Sequence, residues 1–277
     1  MNRLVKIGFA LLLIGIGVSI AFGIISGEGI SSFYKAEDYE LRELTYSADE
    51  FSSIDLFLDN KQVIILPSES DEIILSFYES EKSWMDVTLS GTSLEIQNEQ
   101  LWYADFFIGF DFFNLSTYNK FYLYLPTTEI YNLYVDTSNG SIEVSDLSVF
   151  DELNLNSSNG EVTLINVTAL HSVLVDTSNG KIILNNVEAL VIEVETSNGA
   201  IEGSSILAES IDCYTSNGPI SMQVEGNFDD YFVSLNTING KLYIDDGEVV
   251  VNQYHTTLEN EIKLRTSNGT IRLNFTN

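Results

Sequence analysis

Basic residues are scarce in this chain. Twelve Lys plus Arg stand against 41 Asp plus Glu in 277 residues, a formal net charge of −29, and the sequence pI is about 4.1. Such a field repels phosphate backbones and argues against a nucleic-acid partner. Cysteine is scarcer still. The single Cys213 excludes an internal disulfide framework and a Cys-rich metal site. Two histidines, His171 and His255, are too few for a His-based zinc site. Apolar residues are not lacking: 44% are hydrophobic and 12% aromatic. That is enough to build a core, so an unstructured acidic chain is excluded.

Residues 7–25 form one run of nineteen without a charge, IGFALLLIGIGVSIAFGII. As a helix it is roughly 28 Å long, close to the hydrocarbon thickness of a bilayer. Arg3 and Lys6 precede it, and no base follows until Lys35. The positive-inside rule keeps the N-terminus in the cytoplasm and exports the rest. Residues 1–27 are therefore expected to be a single-pass membrane anchor. The rival is a cleaved signal peptide, but the run is long for one, and Ala21-Phe22-Gly23 is a poor cleavage match. No cysteine near the leader allows lipoprotein processing. The exported part carries 41 acids and 10 bases, a net charge of −31. Residues 28–50 are acidic and poor in aliphatics, which predicts a self-repelling spacer.

A repeat fills the second half. Asn-Gly occurs at Asn139-Gly140, Asn159-Gly160, Asn179-Gly180, Asn198-Gly199, Asn217-Gly218, Asn239-Gly240 and Asn268-Gly269, with spacings of 20, 20, 19, 19, 22 and 29. Three residues before each glycine stands Thr or Ser. Apolar residues sit seven and five before it and, but for Gly203, two and four after it, as with Val173, Val175, Ile182 and Leu184 around Gly180. Alternation at period two on both sides predicts two strands, each with one buried face. Asn-Gly between such strands fits a hairpin meander. It also fits a corner of a β-solenoid, and the constancy of the whole Thr-Ser-Asn-Gly unit favours stacked corners. Asn side chains can then bond along the stack, and glycine is expected to supply a positive φ. The predicted fold is all-β: a single-stranded β-solenoid (β-helix) of about 19–20 residues per coil over 51–277, preceded by one transmembrane helix. Cys213 and Met222 fall on core positions of the template.

Residues 51–132 read as degenerate coils. Ile54, Leu56 and Leu58 precede Asp59-Asn60, and Val63 and Ile65 follow. Ile73, Leu75, Phe77, Val87, Leu89, Leu94 and Ile96 continue the alternation. Residues 101–125 hold eleven aromatics. They predict either a flap that seals the core or an exposed surface for glycan stacking or membrane contact. The 29-residue spacing before Gly269 leaves room for a loop around Asp245-Asp246-Gly247 and His255.

Repeated Thr-Ser-Asn-Gly-x-Ile with alternating flanks, behind one apolar N-terminal segment, resembles a bacterial "putative adhesin" family with β-strand repeats. It is also similar to the membrane-anchored protein of the Lia cell-envelope-stress operon. The resemblance covers about residues 45–277. It implies an extracytoplasmic solenoid at a bacterial envelope and brings no catalytic or binding residue with it.

The residues themselves offer little chemistry. His171 falls at a routine inter-strand position, and His255 lies in an insert without a nucleophile motif. Four before each glycine, the outward positions read Asp136, Asn156, Asp176 and Glu195. Stacked coils make these a column of like charges, which Ca²⁺ would relieve or salt would screen. The expectation is therefore a non-enzymatic binding or scaffold protein of the envelope, with no catalytic residues and no cofactor save candidate Ca²⁺ at Asp136, Asp176 and Glu195. Its candidate partners are the membrane, envelope proteins and cell-wall polymers. Two alternatives stand beside it. One is a polysaccharide-active β-helix enzyme. The other is a self-associating component, which predicts an exposed strand edge at the chain end, Phe275-Thr276-Asn277.

Overall fold

A computed structural model describes residues 38–100, 118–129, 131–249, 253–254 and 260–276. The predicted anchor, the larger part of the aromatic-rich stretch, His255 and Asn277 lie outside these. Among the described residues no helix is long and apolar enough to cross a membrane.

The alternating segments form strands. The first are β1 (Glu40–Ser47), β2 (Ser53–Phe57), β3 (Gln62–Pro67), β4 (Glu72–Glu79), β5 (Ser83–Ser90), β6 (Ser93–Gln100) and β7 (Lys120–Leu125). The repeats supply β8 (Tyr131–Thr137), β9 (Ile142–Ser157), β10 (Val162–Thr177), β11 (Ile182–Glu188), β12 (Val191–Thr196), β13 (Ile201–Leu207), β14 (Ser210–Thr215) and β15 (Ile220–Glu225). After a 3₁₀ turn at Phe228–Asp230 come β16 (Phe232–Thr237), β17 (Leu242–Ile244), β18 (Gly247–Val249), β19 (Gln253–Tyr254), β20 (Glu261–Thr266) and β21 (Ile271–Thr276).

Each coil puts one strand before its Asn corner and one after it, and successive coils pair in parallel. The strands before the corner stack as β6, β2, β8, β9, β10, β12, β14, β20, β16. Those after it stack as β7, β3, β9, β10, β11, β13, β15, β21, β17. The meander is thus set aside over the repeats. The template positions line up level by level: Ile54, Leu133, Leu153, Val173, Ile192, Ile211, Ile262 and Val233 form one column, and all are buried. Their burial in a single cluster with the columns beside them drives the stacking. Cys213 and Met222 sit in this core.

Four expectations need correction. First, levels do not follow chain order. The last coil, β20–β21, lies between β14–β15 and β16–β17, and the first, β2–β3, lies between β6–β7 and β8–β9. The chain-end strand β21 therefore pairs on both sides, Ile271 with Ile220 and with Leu242, and is not a free edge. Second, β4 and β5 are not coils. They run antiparallel against β7 and β6, and β1 runs antiparallel on β4. Alternation at period two makes a strand without fixing its direction. Third, β1 begins at Glu40, inside the predicted spacer, because Leu44 and Tyr46 alternate toward the core. Fourth, the loop at Asp245-Asp246 is a tight hairpin turn between β17 and β18, with φ of 46° and 61° at its two central residues. β18 and β19 close the far end as antiparallel strands on β17 and β16. Both ends of the parallel stack are thus covered by antiparallel strands, and β1, β5, β18 and β19 each pair on one side only among the described residues.

Candidate functional site

The densest polar array is the corner. Each corner asparagine donates its Nδ2 to the Oδ1 of the level below. The bond is 2.7 Å from Asn159 to Asn139, from Asn179 to Asn159 and from Asn198 to Asn179, and 2.9 Å from Asn217 to Asn198. The ladder then follows space rather than sequence: Asn268 donates to Asn217 at 2.9 Å and Asn239 to Asn268 at 2.8 Å. At the other end Asn139 donates to Asn60 at 2.5 Å. Asn60 is an eighth rung, hidden in the sequence because Lys61 takes the place of glycine. The signal was there, since Ile54, Leu56 and Val63 sit at the template distances around it.

Beside the amides runs a ladder of buried hydroxyls. Thr177 Oγ1 accepts the Gly180 N–H at 3.0 Å and donates to the Gly160 carbonyl at 3.4 Å. Ser157, Thr196, Thr215 and Thr266 donate likewise to the glycine carbonyl one level below. This explains the invariance of Thr or Ser three residues before glycine: a buried N–H and a buried carbonyl each need a partner.

The glycines are needed for a reason other than the expected one. None of the seven corner glycines has positive φ. A Cβ on Gly160, Gly180, Gly199 or Gly218 would lie 1.8 Å from the carbonyl oxygen of the glycine below, on Gly140 1.7 Å from that of Lys61, on Gly240 1.8 Å from that of Gly269, and on Gly269 2.0 Å from that of Gly218. Close approach of stacked backbones, not left-handed geometry, excludes every side chain here.

The positive-φ residues lie at a second corner, six after the glycine: Asp146 (58°), Asn166 (53°), Asn186 (55°) and Ser205 (52°). Asp and Asn tolerate this region best. Asn166 donates to Asp146 at 2.6 Å and Asn186 to Asn166 at 3.0 Å. The sequence reading missed this second ladder, although Asp or Asn at a fixed offset marked it.

Asp136, Asn156, Asp176 and Glu195 do stack as successive neighbours. The column continues to Tyr214 and Arg265. Asn156 interrupts it and bonds Asn154 at 2.9 Å. Among the described residues no group of three or more His, Cys, Asp or Glu comes together to hold a metal ion. Several bases neutralise outward acids: Lys181 pairs with Glu202 at 2.7 Å and Arg265 with Asp212 at 2.7 Å. His171 pairs with Asp151 of the level below and is exposed. Burial pushes the Cys213 thiol well above its usual range, so it is a packing residue, not a nucleophile.

The Toastrack DUF4097 family matches residues 51–277. No curated protein matches the chain. Several solved structures resemble it, three of them as follows. A "putative adhesin" from Bacteroides fragilis is 13% identical, with a TM-score of 0.49, covering 86% of this chain and 97% of its own. A "putative adhesin" from Parabacteroides distasonis is 13% identical at a TM-score of 0.45, over 86% and 98%. A "putative lipid binding protein" from the same organism is 14% identical at 0.38, over 87% and 97%.

Proposed function

The chain belongs to the Toastrack DUF4097 family, and from that premise we propose that it is a membrane-anchored, non-enzymatic binding or scaffold protein of the bacterial cell envelope. The observation that carries this reading is the commitment of the repeat's polar groups. The Asn amides, which would serve as ligands elsewhere, bond one another along the stack, and the Thr and Ser hydroxyls, which would serve as nucleophiles, bond the glycine backbones. What the molecule offers outward is a set of acidic faces on regularly stacked coils. The uncharged run at 7–25 supports an anchor, with the coils outside the membrane. Binding of Ca²⁺ along Asp136, Asp176 and Glu195 is part of the same proposal, as a bridge between the acidic face and anionic wall polymers.

The experiment is a pull-down with the full chain in detergent against purified cell-wall polymers and solubilised envelope proteins, with and without Ca²⁺. Saturable capture of an envelope component is the expected result. Release of new reducing ends from a wall glycan would overturn the non-enzymatic reading. Protease protection of the C-terminal coils in intact cells would overturn the topology.

A further inference from the structure

One outward face departs from the acidic pattern. On the strands after the corner, one row of outward residues reads, level by level, Tyr122, Ile64, Glu143, Thr163, Ile183, Glu202, Ser221 and Arg272. From Glu143 onward it is mostly polar. At the N-terminal levels it turns aromatic. Lys120, Tyr122 and Tyr124 project from β7, between Phe121 and Leu123, which are fully buried. Tyr78 of β4 stands opposite Leu41 of β1, and Gln62 of β3 opposite Lys120.

These side chains and Ser76 line a groove of about 530 Å³. The Tyr122 and Tyr124 rings are nearly parallel, 10° apart in plane and 6.2 Å between centroids. The Tyr78 ring is braced edge-on by Tyr118 at 5.1 Å. All three groove tyrosines are half-buried, so their rings are held in place before any ligand arrives. Packing of the core does not require them, since outward positions of later coils carry Glu, Thr and Ser.

We propose that this groove is a saccharide subsite that takes an uncharged pyranose segment of an envelope glycan. The proposal rests on the binding reading above and names the ligand class. A pyranose presents a C–H face and a rim of hydroxyls. The electron-rich ring faces match the first. Tyrosine hydroxyls, the Ser76 hydroxyl, the Gln62 amide and the Lys120 ammonium match the second. The groove's size falls in the ordinary range for small-ligand sites, ~300–1,000 Å³. Charge selects a neutral chain. Lys120 is the one base among the described residues that line the groove, burial, then Tyr122, then Glu43 push the Tyr124 pKa up, and residues 28–277 carry a net −31. Phosphate-rich polymers are therefore repelled. A bilayer surface would leave the amide, hydroxyl and ammonium lining unused.

The test titrates the full chain in nanodiscs with neutral tetrasaccharides, β-1,4-linked N-acetylglucosamine and β-1,4-linked glucose, read by calorimetry. Binding to at least one is expected. Tyr122→Ala and Tyr124→Ala should each weaken it at least about tenfold, the scale of an aromatic hot spot, and Tyr122→Phe far less. Tyr243→Ala, at the opposite end of the stack, should leave it unchanged. Far-UV circular dichroism melts establish that the variants fold. No binding by the wild type, or equal binding by the alanine variants, overturns the proposal. So does brominated-lipid quenching of the extra emission that a Tyr124→Trp variant shows over the wild type, which would assign the groove to the bilayer. If a variant carrying both Tyr122→Ala and Tyr124→Ala captures the same envelope component as the wild type, the groove proposal falls and the binding reading stands. If the wild type captures none, the binding reading falls.

Discussion

Substituting Gly180 by alanine tests the corner most directly. The added Cβ would sit 1.8 Å from the Gly160 carbonyl oxygen, where real contacts do not fall below 3.0 Å, so the two levels must part by more than 1 Å. Parting them disrupts the Thr177 bond to Gly160 (3.4 Å), the Asn179 side-chain bond to Asn159 (2.7 Å) and the Asn179 backbone bond to Ser158 (3.0 Å). Each such bond contributes about 0.5–1.5 kcal/mol, and a buried group left without a partner costs about 1–3 kcal/mol. The expected loss is about 3–5 kcal/mol. Gly91→Ala is the control. Gly91 has φ +63° in the β5–β6 turn, and its Cβ would meet nothing within 4 Å. Left-handed strain alone costs about 1–2 kcal/mol. Denaturant midpoints of the full chain in mild detergent, followed by far-UV circular dichroism, compare the two. A Gly180→Ala midpoint no lower than that of Gly91→Ala would refute the close-approach argument and restore positive φ as the reason for glycine.

Four further predictions concern other parts of the fold. Asn179→Ala removes a rung bonded both above and below and should lower the denaturant midpoint more than Asn239→Ala, which ends the ladder with one rung bond. Asp176→Asn relieves repulsion against Glu195 and should raise the melting temperature at low salt, with the gain gone near about 1 M NaCl. Cys213 is fully buried, so a thiol reagent at pH 8 should label it only after denaturant unfolds the chain. Tyr131 is buried, its hydroxyl has no hydrogen-bond partner among the described residues, and burial pushes its pKa up to about 12. The fold favours the neutral phenol. Its contribution is thus fully present below the unfolded pKa of about 10 and lost as pH rises toward 12. Tyr131→Phe should leave neutral-pH stability unchanged or higher and flatten that alkaline loss, as pH-dependent melts will show.

The repeat was legible because it obeys local rules. Val173 and Val175 before Gly180, and Ile182 and Leu184 after it, alternate as strands must, and the structure buries all four. Thr177 was visible as a constant but not as a relay between two glycines, since its second partner comes from another coil. The order of levels was not legible. Coils cut to one template fit one another at any level, so nothing in 261–276 declares that it belongs beneath 232–244. The antiparallel strands β4 and β5 were misread for a related reason. Ile73, Leu75 and Phe77 have the spacing of a coil strand, and direction is decided by which edge is left to cover. The tyrosine groove fell in a stretch whose aromatics were noticed in bulk. Only strand pairing separates inward Phe121 from outward Tyr122 and Tyr124.

The tucked-in position of the two terminal coils bears on how the molecule is made. In chain order 53–67 comes before and 261–276 after their neighbours in the stack, yet each lies one level inside an end of it. Until 261–276 arrives, β14–β15 and β16–β17 lack the level that stands between them in the finished stack, and the shared template leaves them free to pair in another order. The final coil acts as a keystone. A chain cut before Glu261 carries β14–β15 and β16–β17 but not the level that stands between them, so the pairing of 261–276 also fixes their order.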